Sequence, residues 1–542
     1  MTIKPLFIIS VCLLLSCKSS LARSFYVDAV SGDDTRTGLS SALAWKTLTK
    51  VNATTFQAGD SVLFKSGTQH TGSLIPKGSG TSANPIFMGT YGTGVIPLIQ
   101  AQGQTPDALL LQNDSYWIIN GLELTNTGAT RATTRRTGVH LLSNGGSVLS
   151  GIRLRNLYVH DVNGSNVKSN TNEGQGILFE SATGTSRFDD LIIENCHLVR
   201  TDRNGICQYT SNNTRSTHVV IRNNLLEDIG GDGIKVWGSN GARLEYNVIH
   251  GGRMRALDNA AGIWPFASDS TVIQFNEVSG MKGIMDGMAY DADYQCRNSL
   301  FQYNYSHDNE GGFLLICAPG NSYSQNTVFR YNISVHDGID SARIFQLGGK
   351  ATNTWIYNNT VYVAASQHVP LISDNEWSSG NADSTFFYNN IFYADGNVRY
   401  VWNKSTHNFF QNNVFYGNHI TPPVDSRGIT AKPPLINPGA NANGLAAAGA
   451  YAFSGASAAF ATGVVIANNG GRDYTGNIVP ATSPPYVGAI QYGTASGIHF
   501  SLSREFLNGF NGKTEPQIRD LRGRKLDESS LNDPMLFFRL KR

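Results

Sequence analysis

Five acidic residues, Asp232, Asp286, Asp291, Asp293 and Glu310, stand near one another in the middle of the chain. Lys235, His307 and Asp308 lie among them, with the aromatics Trp237, Trp264 and Phe266. Crowded carboxyls do not titrate alike. Like charge and burial hold one protonated while its neighbour stays ionised, which is the pairing that general acid–base catalysis uses. Asp286 is the first candidate for a catalytic carboxyl, with Asp232 and Glu310 as its partners. Lys235 offers a second chemistry, since a lysine with a depressed pKa can abstract a proton. Asp291 and Asp293 would then be free to hold Ca²⁺, a hard cation that takes oxygen ligands. Any one of these acids alone would pass for a solvated turn residue; the set is the signal.

Residues so far apart in sequence meet only if the backbone returns to the same place at a fixed interval, and it does. Two or three apolar or aromatic residues, a polar residue and Asn recur at Asn156, Asn195, Asn224, Asn247, Asn276, Asn304, Asn332, Asn359, Asn390 and Asn413. Successive intervals are 39, 29, 23, 29, 28, 28, 27, 31 and 23 residues. Each unit also carries a short β-rich run opening at Gly, as in GILFE from Gly176, GIKVW from Gly233 and GMAYD from Gly287. Short alternating runs without helical periodicity predict strands. A repeat of about 28 residues with two or three strands predicts one rung of a parallel β-solenoid, whose core forms only by stacking neighbours. The recurring Asn predicts a ladder of side-chain amides spaced by the strand separation of about 4.8 Å.

Side chains alternate in and out along a strand. With Ile234 and Val236 inward, Lys235 and Trp237 point outward, and the same rule exposes Glu180, Tyr209, Trp264, Phe266, Ala289, Asp291 and Asp293; His140 falls on the same side of an earlier rung. A further column, one residue before each strand-opening Gly, carries Gln175, Asn204, Asp232, Ala261 and Asp286, with Glu310 one place earlier in its rung. Trp237 and Trp264 are expected sugar platforms, and His140, Glu180, Arg203 and His307 further substrate contacts.

The stretches FYVDAVSGDD, AWKTL, FQAGDSVLFKSG, QYNYSHDNEGGF and RDYTGN with VGAIQYG, together with the Asn repeat, resemble the secreted bacterial right-handed parallel β-helix proteins of the pectate-lyase-like superfamily. The resemblance runs from about residue 25 to 490. It implies an all-β chain, a single-stranded right-handed parallel β-helix, and a polysaccharide substrate, with no cofactor required for hydrolysis. It does not choose the reaction, because one scaffold hosts several chemistries. An inverting glycoside hydrolase needs two carboxyls about 6.5–9.5 Å apart, which neighbouring rungs can supply. The alternatives are a lyase acting on a uronic-acid glycan, with Lys235 as base and Ca²⁺ on the aspartates, and a non-catalytic glycan binder or adhesin. Calcium-dependent lyases of the superfamily carry a strand similar to Asp286-Gly287-Met288-Ala289-Tyr290-Asp291 but with lysine where Asp291 stands, and that departure favours hydrolysis.

The ends set the expected organisation. Residues 1–22 read as a signal peptide, with an apolar run from Leu6 to Leu15 too short to span a bilayer. Leu14-Leu15-Ser16-Cys17 resembles a lipobox that would anchor the protein through Cys17, so the expected location is secreted, periplasmic or on the outer membrane. Residues 23–67 form an N-terminal cap with a short helix near Trp45–Val51, 68–420 the catalytic β-helix, 421–494 a closing segment and 495–542 a charged tail. A monomer is expected. With 42 basic against 40 acidic residues and a net charge of +2 in 542 residues, no face for binding nucleic acid is foreseen. Six cysteines fall to four after processing, at Cys196, Cys207, Cys296 and Cys317, with no metal-ligand spacing.

Overall fold

The computed structural model describes residues 22–339 and 342–493. One rung explains the rest. Strand Arg187–Glu194 lies in sheet 1, His197–Thr201 in sheet 2 and Asn204–Thr210 in sheet 3, and the chain then re-enters sheet 1 at Ser216–Arg222. Each strand pairs in parallel with its counterpart one rung on. Three parallel sheets therefore wrap one axis as a parallel β-helix. Sheets 2 and 3 merge near the C-terminal end, where Ile391–Val401 pairs with strands of both.

The core lies along the axis and is built by register. In sheet 1, Ile221, Leu244, Ile273, Phe301, Phe329, Ile356 and Phe387 stack one above another, all fully buried. Burial of each apolar side chain contributes roughly 1.5–3 kcal/mol, and every contribution needs the rung above and below. Cys196, Cys207, Cys296 and Cys317 are free and buried.

The amide ladder runs along the corner between sheets 1 and 2. Asn224, Asn247, Asn276, Asn304, Asn332, Asn359, Asn390 and Asn413 each donate Nδ2 to the next Oδ1 at 2.9–3.0 Å, and Asn413 donates to Asp425 at 3.0 Å. Asn156 and Asn195 do not belong to it. They have φ of 51° and 55° and occupy the left-handed corner position, one residue before the ladder, that Tyr246, Phe275, Tyr303 and Tyr331 fill on later rungs. Cys196 takes the ladder place on its rung, its backbone N–H donating to Asn224 Oδ1 at 2.9 Å.

At the N-terminal end a single helical turn, Leu48–Asn52, capped by Thr47, lies beside Trp45, which stacks on Phe25 at 4.8 Å. The helix starts later than Trp45 because the Thr47 side chain accepts from Lys50 N–H and fixes the first turn there. Beyond the last strand, Val414–His419, the chain folds back over the outside of sheet 2. Tyr305 Oη donates to Ala442 O at 3.3 Å, Gly444 N–H donates to the Glu277 carboxylate at 2.9 Å, and Tyr451 packs on Tyr362. This segment contains two 3₁₀ turns, Leu445–Tyr451 and Ala458–Phe460, and leaves the outward face of sheet 3 to other covering loops. The expected signal peptide, Cys17 and charged tail lie outside the described residues.

Candidate active site

The outward face of sheet 3 gathers the chemistry. Register places Cys207, Lys235 and Trp264 in one row. Pairing of Ile263 with Tyr290 brings Asp291 to the next place in that row, and Leu315 follows Asp291. Alongside runs an aromatic row: Tyr209, Trp237, Phe266 and Tyr294 touch edge to face, with centroids 4.8, 4.5 and 4.6 Å apart, and each is half-buried. Ala289 is not on this face but packs in the core.

These side chains do not stand in an open trough. Segments 165–173, 253–261 and 282–287 fold over the row and are tied to one another. Asn166 Nδ2 donates to Arg255 O at 2.9 Å, Lys168 N–H to Asp258 Oδ2 at 2.7 Å and Arg253 Nη1 to Lys282 O at 3.2 Å. Arg343 Nη1 holds Ile284 O at 2.6 Å. Lys168 itself is exposed at the edge of the cover, with its ammonium 5.3 Å from the Trp264 ring. Beneath lie Asp232 at 0%, Lys235 at 1% and Trp264 at 5% exposure, and Asp286, carried by the third of these segments, is 7% exposed.

The enclosed charges separate into two groups. Asp232 is a structural anion. It accepts from Ala261 N–H and Trp264 Nε1, each at 3.0 Å, and faces Arg203 at 3.5 Å. Burial pushes its pKa up, but Arg203, Lys235 and Lys168 bring it below the ordinary value, so it stays ionised. Lys235 is the matching cation. Burial pulls its pKa down, yet Cys207, Glu173 and Asp232 carry it above the ordinary lysine value. An ammonium buried beside Asp232 and Glu173 is a poor proton acceptor, which counts against Lys235 as the base of an elimination. Trp264, packed between the Lys168 and Lys235 ammonium groups and bonded to Asp232, is a wall of the site rather than an open platform.

The second group is acidic, and its nearby cations, Lys168 and Arg343, do not offset its burial. Burial, then the charge of Asp232, pushes Asp286 up to about 7. Burial lifts Asp293 to about 6, and burial with the charges of Asp293 and Asp286 holds Asp291 well above the carboxylate range. Cys317, on the next rung, sits 3.2 Å from Asp293 Oδ1 and 3.9 Å from Asp291 Oδ1. The three carboxyls thus titrate apart, Asp291 and Asp286 holding their protons to higher pH than Asp293, and a protonated acid beside an ionised one is what acid–base catalysis requires.

Several expected contacts fall elsewhere. Glu310 pairs with Lys282 at 3.0 Å and accepts Gly283 N–H at 2.7 Å on the outer side of the cover, and is held below its ordinary pKa. It stands apart because Lys282 and the Gly283 N–H draw its carboxylate to that side. His307 is on sheet 2, between Glu277 at 3.2 Å and Asp308 at 2.8 Å. His140 and Glu180 pair at 3.1 Å on sheet 3, with Asp107 on the other side of the imidazole, but His140 lies three rungs before Lys235. Arg203 is fully buried and ties the cover to the sheet through Asp258 and Asn259 O, so it is closed to substrate. Cys317 was not foreseen. The two strand-opening glycines, Gly287 and Gly312, are out of register by one: Gly312 pairs with Met288, which sets Cys317 alongside Asp293.

As a calcium site the cluster is unsuited. Asp291, Asp293 and Cys317 offer three ligand atoms within 4.8 Å of one another. A thiol is a soft ligand, whereas Ca²⁺ takes six to eight oxygens.

Residues 175–361 match the family model described as a right handed beta helix region. The chain is 30% identical to a lacto-N-biosidase of Bifidobacterium longum subsp. longum over 499 aligned residues, covering 72% of this chain and 30% of that protein. It therefore spans under a third of the length of that curated relative. The solved structure of the GH136 lacto-N-biosidase from Eubacterium ramulus matches with a TM-score of 0.57 and 28% identity, across 72% of this chain and 67% of that one. The structure of the native protein, the first being its selenomethionine derivative, gives 0.56 and 27%, with 72% and 68% covered.

Proposed function

We propose that this right-handed parallel β-helix of the pectate-lyase-like superfamily is a glycoside hydrolase, with Asp286 as the acid and Asp293 as the carboxylate acting on the anomeric carbon or its attacking water. One observation carries the reading: Asp286, Asp291 and Asp293 gather at the outward side of sheet 3, the first two buried and the third half-buried, with Asp286 and Asp293 raised to about 7 and about 6. Similarity to the lacto-N-biosidases supports hydrolysis over elimination. So does the firmly protonated Lys235.

Asp286, neutral below about pH 7, donates its proton to the glycosidic oxygen as the bond breaks. Asp293, ionised above about pH 6, faces the positive charge that develops on the sugar. Asp291 stays protonated, held so by burial and the charges of Asp293 and Asp286. Inversion requires about 6.5–9.5 Å between its two carboxyls. Asp291 and Asp293 lie within 4.8 Å, so an inverting reaction must use Asp286 as one of the pair. The half-buried aromatic row beside the acids offers faces on which sugar rings stack. The apolar run at the N-terminus favours action outside the cell.

We take a lacto-N-bioside as the first substrate to try. A chromogenic lacto-N-bioside and a panel of polysaccharides, read for new reducing ends and for absorbance near 235 nm, test the reading. Reducing ends without unsaturated product support it, and NMR of the first-formed anomer assigns retention or inversion. Unsaturated product overturns it in favour of a lyase, and tight binding without turnover in favour of a glycan-binding module.

A further inference from the structure

We propose that Cys317 is a positioning residue of this reaction: its thiol, presented from the neighbouring rung, donates to Asp293 and favours the ionised form of that carboxyl. The inference rests on the hydrolase reading and adds a residue to it. Strand Gly312–Ala318 runs parallel to Met288–Ala292, and the pairing of Ala292 with Ile316 carries Cys317 to the place beside Asp293. The sulfur is 3.2 Å from Asp293 Oδ1, within range for a thiol donor, while Asp291 Oδ1 lies further off at 3.9 Å. Cys317 is 2% exposed and packs with Met288, Leu315 and Trp377, which fix the direction of its Cβ–Sγ bond.

Asp293 has few other donors. The backbone N–H of Tyr294 reaches its Oδ1 at 2.7 Å. The charged and titratable groups around it are Asp286 and Asp291 on its own rung, Asp232 from two rungs before, Lys168 from the cover, and the Tyr294 and Cys296 side chains that follow in sequence. Arg343 faces Asp286 and Asp291. Three acids surround Asp293 against one nearby cation, so each hydrogen-bond donor weighs in its ionisation. The thiol itself stays protonated, because burial and the neighbouring carboxylates push its pKa well above the ordinary value. It is therefore a fixed S–H donor and not a nucleophile.

The test compares Cys317→Ala and Cys317→Ser with the wild type, using pH–rate profiles on the chromogenic glycoside and the infrared S–H stretching band. Serine keeps a donor and makes it stronger; alanine removes it. The acidic limb of kcat/KM should move to higher pH in Cys317→Ala and to lower pH in Cys317→Ser, opposite shifts that a general packing defect does not produce. The S–H band that disappears in Cys317→Ser should shift as Asp293 ionises and lose that pH dependence in Asp293→Asn. Limbs that coincide, or that move together, overturn the inference, as does an S–H band indifferent to Asp293. A wild type without hydrolytic activity would refute the hydrolase reading instead, and the band would still judge the contact.

Discussion

Replacing Asn304 by Leu removes one amide from the middle of the buried ladder while keeping nearly the same volume. The Asn304 side chain donates to Ile273 O and Asn332 Oδ1, each at 2.9 Å, and its Oδ1 accepts the Asn276 backbone N–H and Nδ2, each at 3.0 Å. Not all four partners are orphaned. Asn276 Nδ2 keeps Leu244 O, and Asn332 Oδ1 keeps the Asn304 backbone N–H. The Asn276 N–H loses its buried partner, at about 1–3 kcal/mol, while the Ile273 carbonyl keeps its place in the strand ladder, so the substitution should cost about 2 kcal/mol. The surface provides the control. Asn298, Asn326 and Asn353 form a shorter amide chain at 2.8–3.0 Å, exposed to water. Asn326→Gly breaks that chain and tolerates its φ of 59°, so it should cost no more than about 0.5 kcal/mol. Guanidinium unfolding followed by circular dichroism measures both. Equal midpoints for the two variants would refute the claim that burial, and not the mere presence of an amide row, makes the ladder stabilising.

Catalysis should follow a narrow bell in pH. The rate falls below about pH 6 as Asp293 takes up a proton and above about pH 7 as Asp286 loses one, and Asp286→Asn should abolish the basic limb. His307 makes a prediction about stability. Although burial lowers its pKa, Asp308 and Glu277 raise it to about 9. A folded pKa above the unfolded value of about 6.5 stabilises the protein fully below that value and ceases to do so as pH rises through about 9. Guanidinium midpoints between pH 6 and 10 should therefore register a loss of about 3 kcal/mol in the wild type, and much less in His307→Gln. Treatment with EDTA should leave glycoside hydrolysis unchanged, because a thiol and two carboxylates make a poor calcium site; loss of activity restored by Ca²⁺ would contradict this.

The architecture was legible because a β-helix writes its period into the chain. Stacked rungs need the same residue type at the same place, and the intervals between Asn224 and Asn413 report that need directly. The ladder's start was misread at Asn156 and Asn195 because asparagine also suits the left-handed corner one residue earlier, and only register separates the two places. The acidic group was visible as a set, but its enclosure was not. The covering segments 165–173, 253–261 and 282–287 are aperiodic insertions whose meeting depends on cross-rung bonds such as Asn166 to Arg255. Those bonds turn Asp232 and Lys235 from expected reactants into a buried ion network. Cys317 was hidden because Gly312 pairs with Met288 and not with Gly287, and strand parity turns that one-residue slip into the opposite face; Glu310 was misplaced because its carboxylate turns to Lys282 and Gly283 N–H, contacts that register does not report.

The most direct measurement is turnover of a lacto-N-bioside by the wild type, Asp286→Asn and Asp293→Asn, with folding verified by unchanged unfolding midpoints. The account predicts hydrolysis by the wild type and a loss of at least about 10²-fold in kcat for each variant. Full activity in both folded variants would contradict it.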